Sequence, residues 1–225
     1  MRVGFLGSGP MTRALGARLA VAGHEVLVGS RDAERARAVA AEMGAVAEAA
    51  AFASRADAAG RIAAGDHRDA AGCEVVVVAV HDPVAIETVA GLRDVLAGTV
   101  LIDLGNPLDP PRWESRLAGG PSLAERIADA APGARVVKAF NTVYAELLAL
   151  PAPEGGPAPQ TFVASDDVAA KSLVIDLARA IGTDPVDAGP LRMSRHLEAV
   201  AGFEVALTAR GFADAVAVRV SPAVH

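Results

Sequence analysis

The stretch MRVGFLGSGPMTRALGARLAVAGHEVLVGSR, residues 1–31, decides the fold. Arg2 to Leu6 reads as an apolar strand, Gly7-Ser8-Gly9 as a tight turn, Met11 to Ala22 as an amphipathic helix, and Glu25 to Gly29 as a second strand. A strand, a turn and a helix in that order bring backbone N–H groups and the positive end of a helix to one point, which suits a pyrophosphate. Gly7 and Gly9 lack a Cβ, so the main chain approaches such a group closely. The second strand runs into Ser30-Arg31. A carboxylate at that place binds a bare ribose 2′-OH and repels a 2′-phosphate; a hydroxyl and a guanidinium do the reverse. Arg35, one helical turn on, faces the same way. The pattern predicts a dinucleotide site that takes NADP(H). The third glycine of such a fingerprint falls on Thr12, whose side chain either holds the helix slightly away from the strand or meets a phosphate through its hydroxyl.

The rest of the composition narrows the class. A chain of 225 residues buries a substantial core and makes one large domain, or one domain with a small C-terminal lobe. Hydrophobic residues make up 52% and charged ones 21%, as in soluble globular proteins. No apolar run approaches the ~20 residues that span a bilayer, and no membrane partner is expected. The N-terminus enters a strand at once, so no signal peptide is expected. Cys73 is the single cysteine; it excludes an internal disulfide and fits a reducing cytoplasm. It opens a buried strand and reads as a small core residue. A net charge of −6 argues against nucleic acid as the partner, so anionic ligands must be held by local clusters such as Ser30, Arg31 and Arg35.

Strands and helices alternate along the chain. Asp32 to Met43 continues as a helix, the alanine-rich Ala45 to Ala59 is compositionally helical, and a short strand covers Arg61 to Ala63. Glu74 to Val80 is a continuous β-branched run, the mark of a strand covered on both faces. Helices are expected over Pro83–Ala97, Leu123–Ala131 and Ala145–Leu150, and strands over Val100–Leu104 and Arg135–Phe140. Pro151 to Pro159 is a surface loop rich in breakers. After it come a strand (Gln160–Ala164), a helix (Asp167–Ile181), a short strand near Pro185–Asp187, a long apolar helix (Ser194–Ala209) and a last strand (Ala215–Val220). This order specifies a doubly wound, mostly parallel α/β sheet of the Rossmann type. Residues 1–150 form its nucleotide-binding domain, and 151–225 a small helix-rich C-terminal lobe that completes the acceptor site. The late helix is apolar on more than one face, which predicts burial against a second copy and a homodimer.

In an open α/β sheet the ligand lies beyond the carboxyl ends of the strands. Gly7 to Thr12 (with Pro10 and Met11), Val80-His81-Asp82-Pro83, Leu104-Gly105-Asn106-Pro107 and Phe140-Asn141-Thr142-Val143 meet that condition. His81 either donates a proton or binds a ribose, or it simply lines the groove as a polar loop residue. Asn141 and Thr142 suit a nicotinamide amide or a second planar ring, or they cap the next helix. Tyr144, the only tyrosine, is a candidate acid or a packing residue, and Lys138 pairs structurally or serves catalysis. The five histidines show no metal-ligand spacing, and no serine sits in a nucleophile elbow. The lack of an acid–base team fits hydride transfer between preformed cofactors, which needs alignment and exclusion of water.

Four segments, GFLGSGPMTRALGARLAVAGHEVLVGSRDAER, LIDLGNPL, ARVVKAFNTVYA and DAGPLRMSRHLEAV, together resemble the NADPH:deazaflavin (coenzyme F-420) oxidoreductases and the wider group of dinucleotide-binding reductases around them. They are also similar to the cytosolic reductase domain of six-transmembrane metalloreductases. The resemblance implies that Gly7, Ser8, Gly9, Pro10 and Met11 form the pyrophosphate turn and that Ser30, Arg31 and Arg35 clamp the 2′-phosphate. It places Val143 and Ala145 beside the stacked nicotinamide and deazaflavin rings. Asn141 stands where some deazaflavin enzymes have histidine, and His81 where they tend to have proline. The function expected is a cytoplasmic NADP(H)-dependent oxidoreductase that passes hydride to a small-molecule acceptor, deazaflavin or flavin-like, with Arg192 and Arg195 placed to hold an acidic cofactor tail. The alternatives are an NADPH-dependent reductase of an imine or carbonyl metabolite, which needs a proton donor such as His81 or Tyr144, and a non-catalytic NADP-sensing module.

Overall fold

A computed structural model describes residues 1–54, 59–82, 84–149 and 157–221. Its centre is an eight-stranded sheet. Along the chain its strands are β1 (Arg2–Leu6), β2 (Glu25–Gly29), β3 (Ile62–Gly65), β4 (Val75–Val78) and β5 (Val100–Asp103), then β8 (Arg135–Lys138), β9 (Gln160–Ala164) and β10 (Asp184–Gly189). A separate hairpin, β6 (Leu108–Asp109) and β7 (Glu114–Ser115), follows β5. In space the order is β10-β9-β8-β5-β4-β1-β2-β3. All neighbours run parallel except β8 and β9, which meet antiparallel at Lys138 and Ala164. The six strands from β3 to β8 are the doubly wound arrangement expected, and the two C-terminal strands extend the same sheet.

The helices are α1 (Pro10–Val21), α2 (Ala33–Ser54), α3 (His67–Ala71), α4 (Val84–Gly91), α5 (Leu123–Ala130), α6 (Ala145–Leu148), α7 (Val168–Ala180) and α8 (Ser194–Ala209). Successive side chains of a strand point to opposite faces, and the core divides accordingly. Val3, Phe5, Val75, Val77, Val100 and Ile102 pack on one face with α1, α2 and α7. Leu6, Val76, Val78 and Leu101 pack on the other with α4 and α5. The unbroken valine run of β4 thus feeds two cores at once. α3 lies so close to β1 that a Cβ on Gly4 would sit 2.0 Å from the Ala70 carbonyl oxygen.

Several boundaries differ from the sequence reading. α2 does not stop near Met43 but continues to Ser54, because nothing in the alanine-rich stretch breaks it and Ala47 and Ala51 are buried. Residues 55–58 of that stretch, Pro83 and residues 150–156 of the expected loop lie outside the described residues. β4 is shorter than Glu74 to Val80, and α4 ends at Gly91 rather than Ala97, followed by turns such as Val95 N–H to Leu92 O. β8 ends at Lys138 because Phe140 takes a positive φ of 61°, a costly backbone state for a residue with a side chain. The last segment, Ala215 to Val220, is not a strand. It is an extended strap held by side chains: Gln160 Oε1 accepts from Val220 N–H at 2.8 Å, and Glu204 Oε1 from Val218 N–H at 2.8 Å. Side chains of the body take the strap's amides, so no backbone ladder forms. Burial raises the carboxyl of Glu204 to about 7.

Candidate active site

The parallel strands deliver their carboxyl ends to one edge of the sheet, and the turn after β1 opens there. Gly7 takes φ 130°, and its N–H donates to Gly29 O at 2.9 Å. A Cβ on Gly7 would lie 2.4 Å from the Ala79 carbonyl oxygen, so both the backbone angle and the space demand glycine. Gly9 caps α1 ahead of Pro10, and the place of its absent Cβ is open for at least 4 Å. Thr12 is fully buried, and its hydroxyl donates to Gly7 O at 3.1 Å. That bond pins the turn and explains how threonine serves at the third fingerprint position. Arg13 adds a second brace, donating to Ser8 O at 2.9 Å.

One cavity of about 460 Å³ gathers Gly7, Ser8, Gly9, Ser30, Arg31, Arg35, Val80 and His81. These are eight of the residues that the sequence singles out, from three separate stretches of the chain. Four more line it without having been foreseen: Asp32, His67, Ala79 and Val84. Ser30 Oγ accepts from Asp32 N–H, and Asp32 Oδ1 from Arg35 N–H, so the acidic residue serves the start of α2. His81 is exposed at the rim.

The strand ends of β5 and β8 make a second group. Asn106 Nδ2 donates to Asn141 O at 2.7 Å, and Asn141 Nδ2 donates to Asn106 Oδ1 at 2.9 Å and to Leu197 O at 3.0 Å. Asn141 Oδ1 and Thr142 Oγ1 are buried and have no partner among the described residues. Buried polar atoms are rarely left so, and an acceptor beside a hydroxyl fits a carboxamide such as that of nicotinamide. Val143 is buried next to them. Tyr144 is committed elsewhere: its hydroxyl lies 3.1 Å from Thr208 Oγ1, tying α6 to α8. Ala145 and Pro10 face a separate groove of about 270 Å³ among α1, α2 and α6.

A larger cavity of about 640 Å³ lies between the β6–β7 hairpin and α8, with Arg112, Trp113, Arg195, Glu198 and Phe203 on its walls. α8 approaches the hairpin through Gly202, where a Cβ would lie 2.5 Å from Trp113 O. Arg195 is paired by two bonds, 2.7 and 2.6 Å, to Glu125, and this guanidinium holds the Glu125 carboxyl down to about 2. Arg192 is exposed. Beneath the cavity Lys138 is fully buried: its Nζ lies 2.7 Å from Asp103 Oδ2, 3.1 Å from Glu198 Oε1 and 2.5 Å from Gly105 O. Glu198 Oε1 also accepts from Leu123 N–H at 2.9 Å, and burial pushes the carboxyl of Glu198 above its usual range. The structure gives Lys138 the structural pairing that its place in a strand left open. Glu198 went unseen, because no local pattern distinguishes it from the solvated glutamates of the chain. Trp113 carried a signal, being the only tryptophan, set in a Pro-Pro-Arg-Trp loop.

Among the described residues no cluster suits a metal ion, and no helix is long and apolar enough to cross a membrane. The fold and the strand-end cavity define a Rossmann-type dinucleotide-binding protein. The family described as "NADP oxidoreductase coenzyme F420-dependent" matches residues 2–107. The F420-dependent NADP reductase of Methanothermobacter marburgensis is 32% identical over 215 residues, covering 89% of both chains. The metalloreductase STEAP3 of Rattus norvegicus is 34% identical over 199 residues; that is 88% of this chain and 36% of the relative, so the chain spans about a third of that protein's length. A crystal structure from Arthrobacter sp. FB24, of a candidate F420-dependent NADP-reductase, superposes with a TM-score of 0.80 at 28% identity, covering 98% of this chain and 99% of that one. The chain belongs to the F420-dependent NADP reductase family.

The buried cluster sets a stability test. Replacing Lys138 by methionine leaves the carboxylates of Asp103 and Glu198 without their cation. Breaking a buried pair in this way costs about 3–5 kcal/mol. Urea denaturation at neutral pH should show a loss of that size, shrinking as pH falls and the Glu198 carboxyl, raised by burial, protonates.

Proposed function

We propose that the protein is an NADP(H)-dependent oxidoreductase that transfers hydride between NADPH and a deazaflavin (F420) or flavin-like acceptor, working in the cytoplasm as a homodimer. The observation that carries this reading is the convergence of the glycine turn with Ser30, Arg31 and Arg35 in one cavity, in a chain of this family. In this reading Gly7, Ser8 and Gly9, with Pro10, Met11 and Thr12 behind them, cradle the pyrophosphate at the start of α1. Arg31 and Arg35 neutralise the 2′-phosphate, with Ser30 beside them. Val80 and His81 line the ribose side. Asn106, Asn141 and Thr142 orient the nicotinamide, and the unpartnered Asn141 Oδ1 and Thr142 Oγ1 fit its carboxamide. NADPH supplies the hydride.

The acceptor ring lies toward Val143 and the cavity under α8, which Trp113 and Phe203 line; Arg112 and Arg195 stand on its walls already paired with Asp109 and Glu125. Residues 1–150 hold the nucleotide, and 151–225, through α8, close the acceptor side. Ala145 follows Val143 at the start of α6 and lines the groove among α1, α2 and α6. With the Tyr144 hydroxyl engaged by Thr208, His81 is the remaining candidate acid, and transfer to a deazaflavin does not require one. α8 also leaves Phe203 58% exposed, and Phe212 beyond it is 74% exposed. We assign these rings to the face that meets a second copy.

Purified protein mixed with NADPH and oxidised deazaflavin should bleach the deazaflavin absorbance, and no turnover by folded, NADPH-bound protein would sink the reading. His81→Ala should keep most of that turnover; a general acid is worth about 10²–10⁴-fold, so a loss above about a hundred-fold at unchanged NADPH affinity selects the imine or carbonyl reductase instead. Arg31→Ala should weaken NADPH by roughly ten- to a hundred-fold, the loss of a hydrogen bond to a charged group, and leave NADH little changed. Light scattering should give twice the 22.8 kDa of one chain.

A further inference from the structure

Besides Arg31, Arg35 and His81, the nucleotide cavity holds one more side chain able to carry positive charge, which the mechanism above does not use. His67 opens α3, directly after β3, and lines the cavity with Ser30, Arg31 and Arg35. Sheet register puts it there: Gly29 pairs with Gly65, and Ser30 N–H donates to Gly65 O at 3.2 Å, so the residues that follow each strand stand side by side. His67 is half-buried, and neither ring nitrogen has a hydrogen-bond partner among the described residues. We propose that His67 is a specificity-determining residue: its imidazole contacts the 2′-phosphate and takes up one proton from solvent when NADPH binds. This inference rests on the NADP(H) reading of the cavity.

The charges around the ring set the direction of the effect. Burial first, and the Arg31 guanidinium second, lower the pKa of His67, while Asp66 raises it. At neutral pH the ring is therefore uncharged in the free protein. The carboxylates of its own helix are spent locally: Asp66 Oδ1 accepts from Asp69 N–H, and Asp69 Oδ2 accepts from Asp66 N–H. From α2 the cavity receives Arg35, and from the turn before it Arg31 and Asp32; from the end of β4 it receives His81. Strands β1, β2 and β3 meet α3 through Gly4, Gly29 and Gly65, which bring no charge. A phosphate dianion placed between Arg31 and His67 would cancel the guanidinium's repulsion and favour imidazolium. Affinity for NADPH should then rise as pH falls through the raised pKa of the complex and level off below the lowered pKa of the free protein. NADH lacks the phosphate and should show no such rise.

The 2′-phosphate itself titrates near pH 6, which opposes this trend, so the wild-type slope must be compared with that of a variant. Calorimetric titration of NADPH and NADH between about pH 6 and 8, in buffers of different ionisation enthalpy, measures both affinity and protons taken up. The wild-type protein should take up protons with NADPH alone, its affinity rising by no more than about tenfold per pH unit relative to His67→Gln. His67→Gln should lose that uptake, and His67→Arg should bind NADPH tightly and without the difference at about pH 8. Equal proton uptake and equal slopes in the wild type and His67→Gln, or the same uptake with NADH, would overturn the role of His67. Failure of the folded protein to bind NADPH at any pH would instead overturn the cofactor reading, and this inference with it.

Discussion

The carboxyl edge of the sheet is organised around one buried cation. Lys138 ends β8 opposite Asp103, its register partner at the end of β5, and reaches Glu198 on α8 as well. A lysine with no exposed surface is held only if its charge is met and its hydrogen bonds are filled. Here two carboxylates and the Gly105 carbonyl do this. The consequence is mechanical: α8, from the last third of the chain, is tied to the strand ends that carry Asn106 and Asn141. Glu198 also takes the amide of Leu123, and its neighbour Leu197 takes the Asn141 side chain. The same few atoms thus fix the nicotinamide end of the proposed cleft and the wall of the cavity beyond it.

The two cavities differ in how they are made. The cavity with the glycine turn is built from short-range features, in which each strand runs into a turn and the parallel register sets the turns side by side. Its polar lining is local charge and backbone N–H. The cavity under α8 depends on the hairpin meeting a helix that follows it by some eighty residues in the chain, at the glycine approach of Gly202 to Trp113.

What the sequence by itself determined is what has a period or a punctuation mark. The alternation of apolar strands and helices, the glycine turn, Ser30-Arg31 in place of an acidic residue, and the β-branched run of β4 each report a local physical requirement, and from them the doubly wound sheet and eight residues of one cavity were legible. Element ends were less so: α2 ran on because alanine carries no stop signal, and the C-terminal strap looked like a strand because its valines suit one. Only the tertiary structure decided that Gln160 and Glu204 occupy that strap's amides, that Thr12 turns its hydroxyl to Gly7, that Tyr144 is taken by Thr208, and that His67 stands beside Arg31. In each case the partner is chosen by backbone geometry, register and packing, and for all but the Thr12–Gly7 bond it lies well away in the sequence, where no neighbouring residue encodes it.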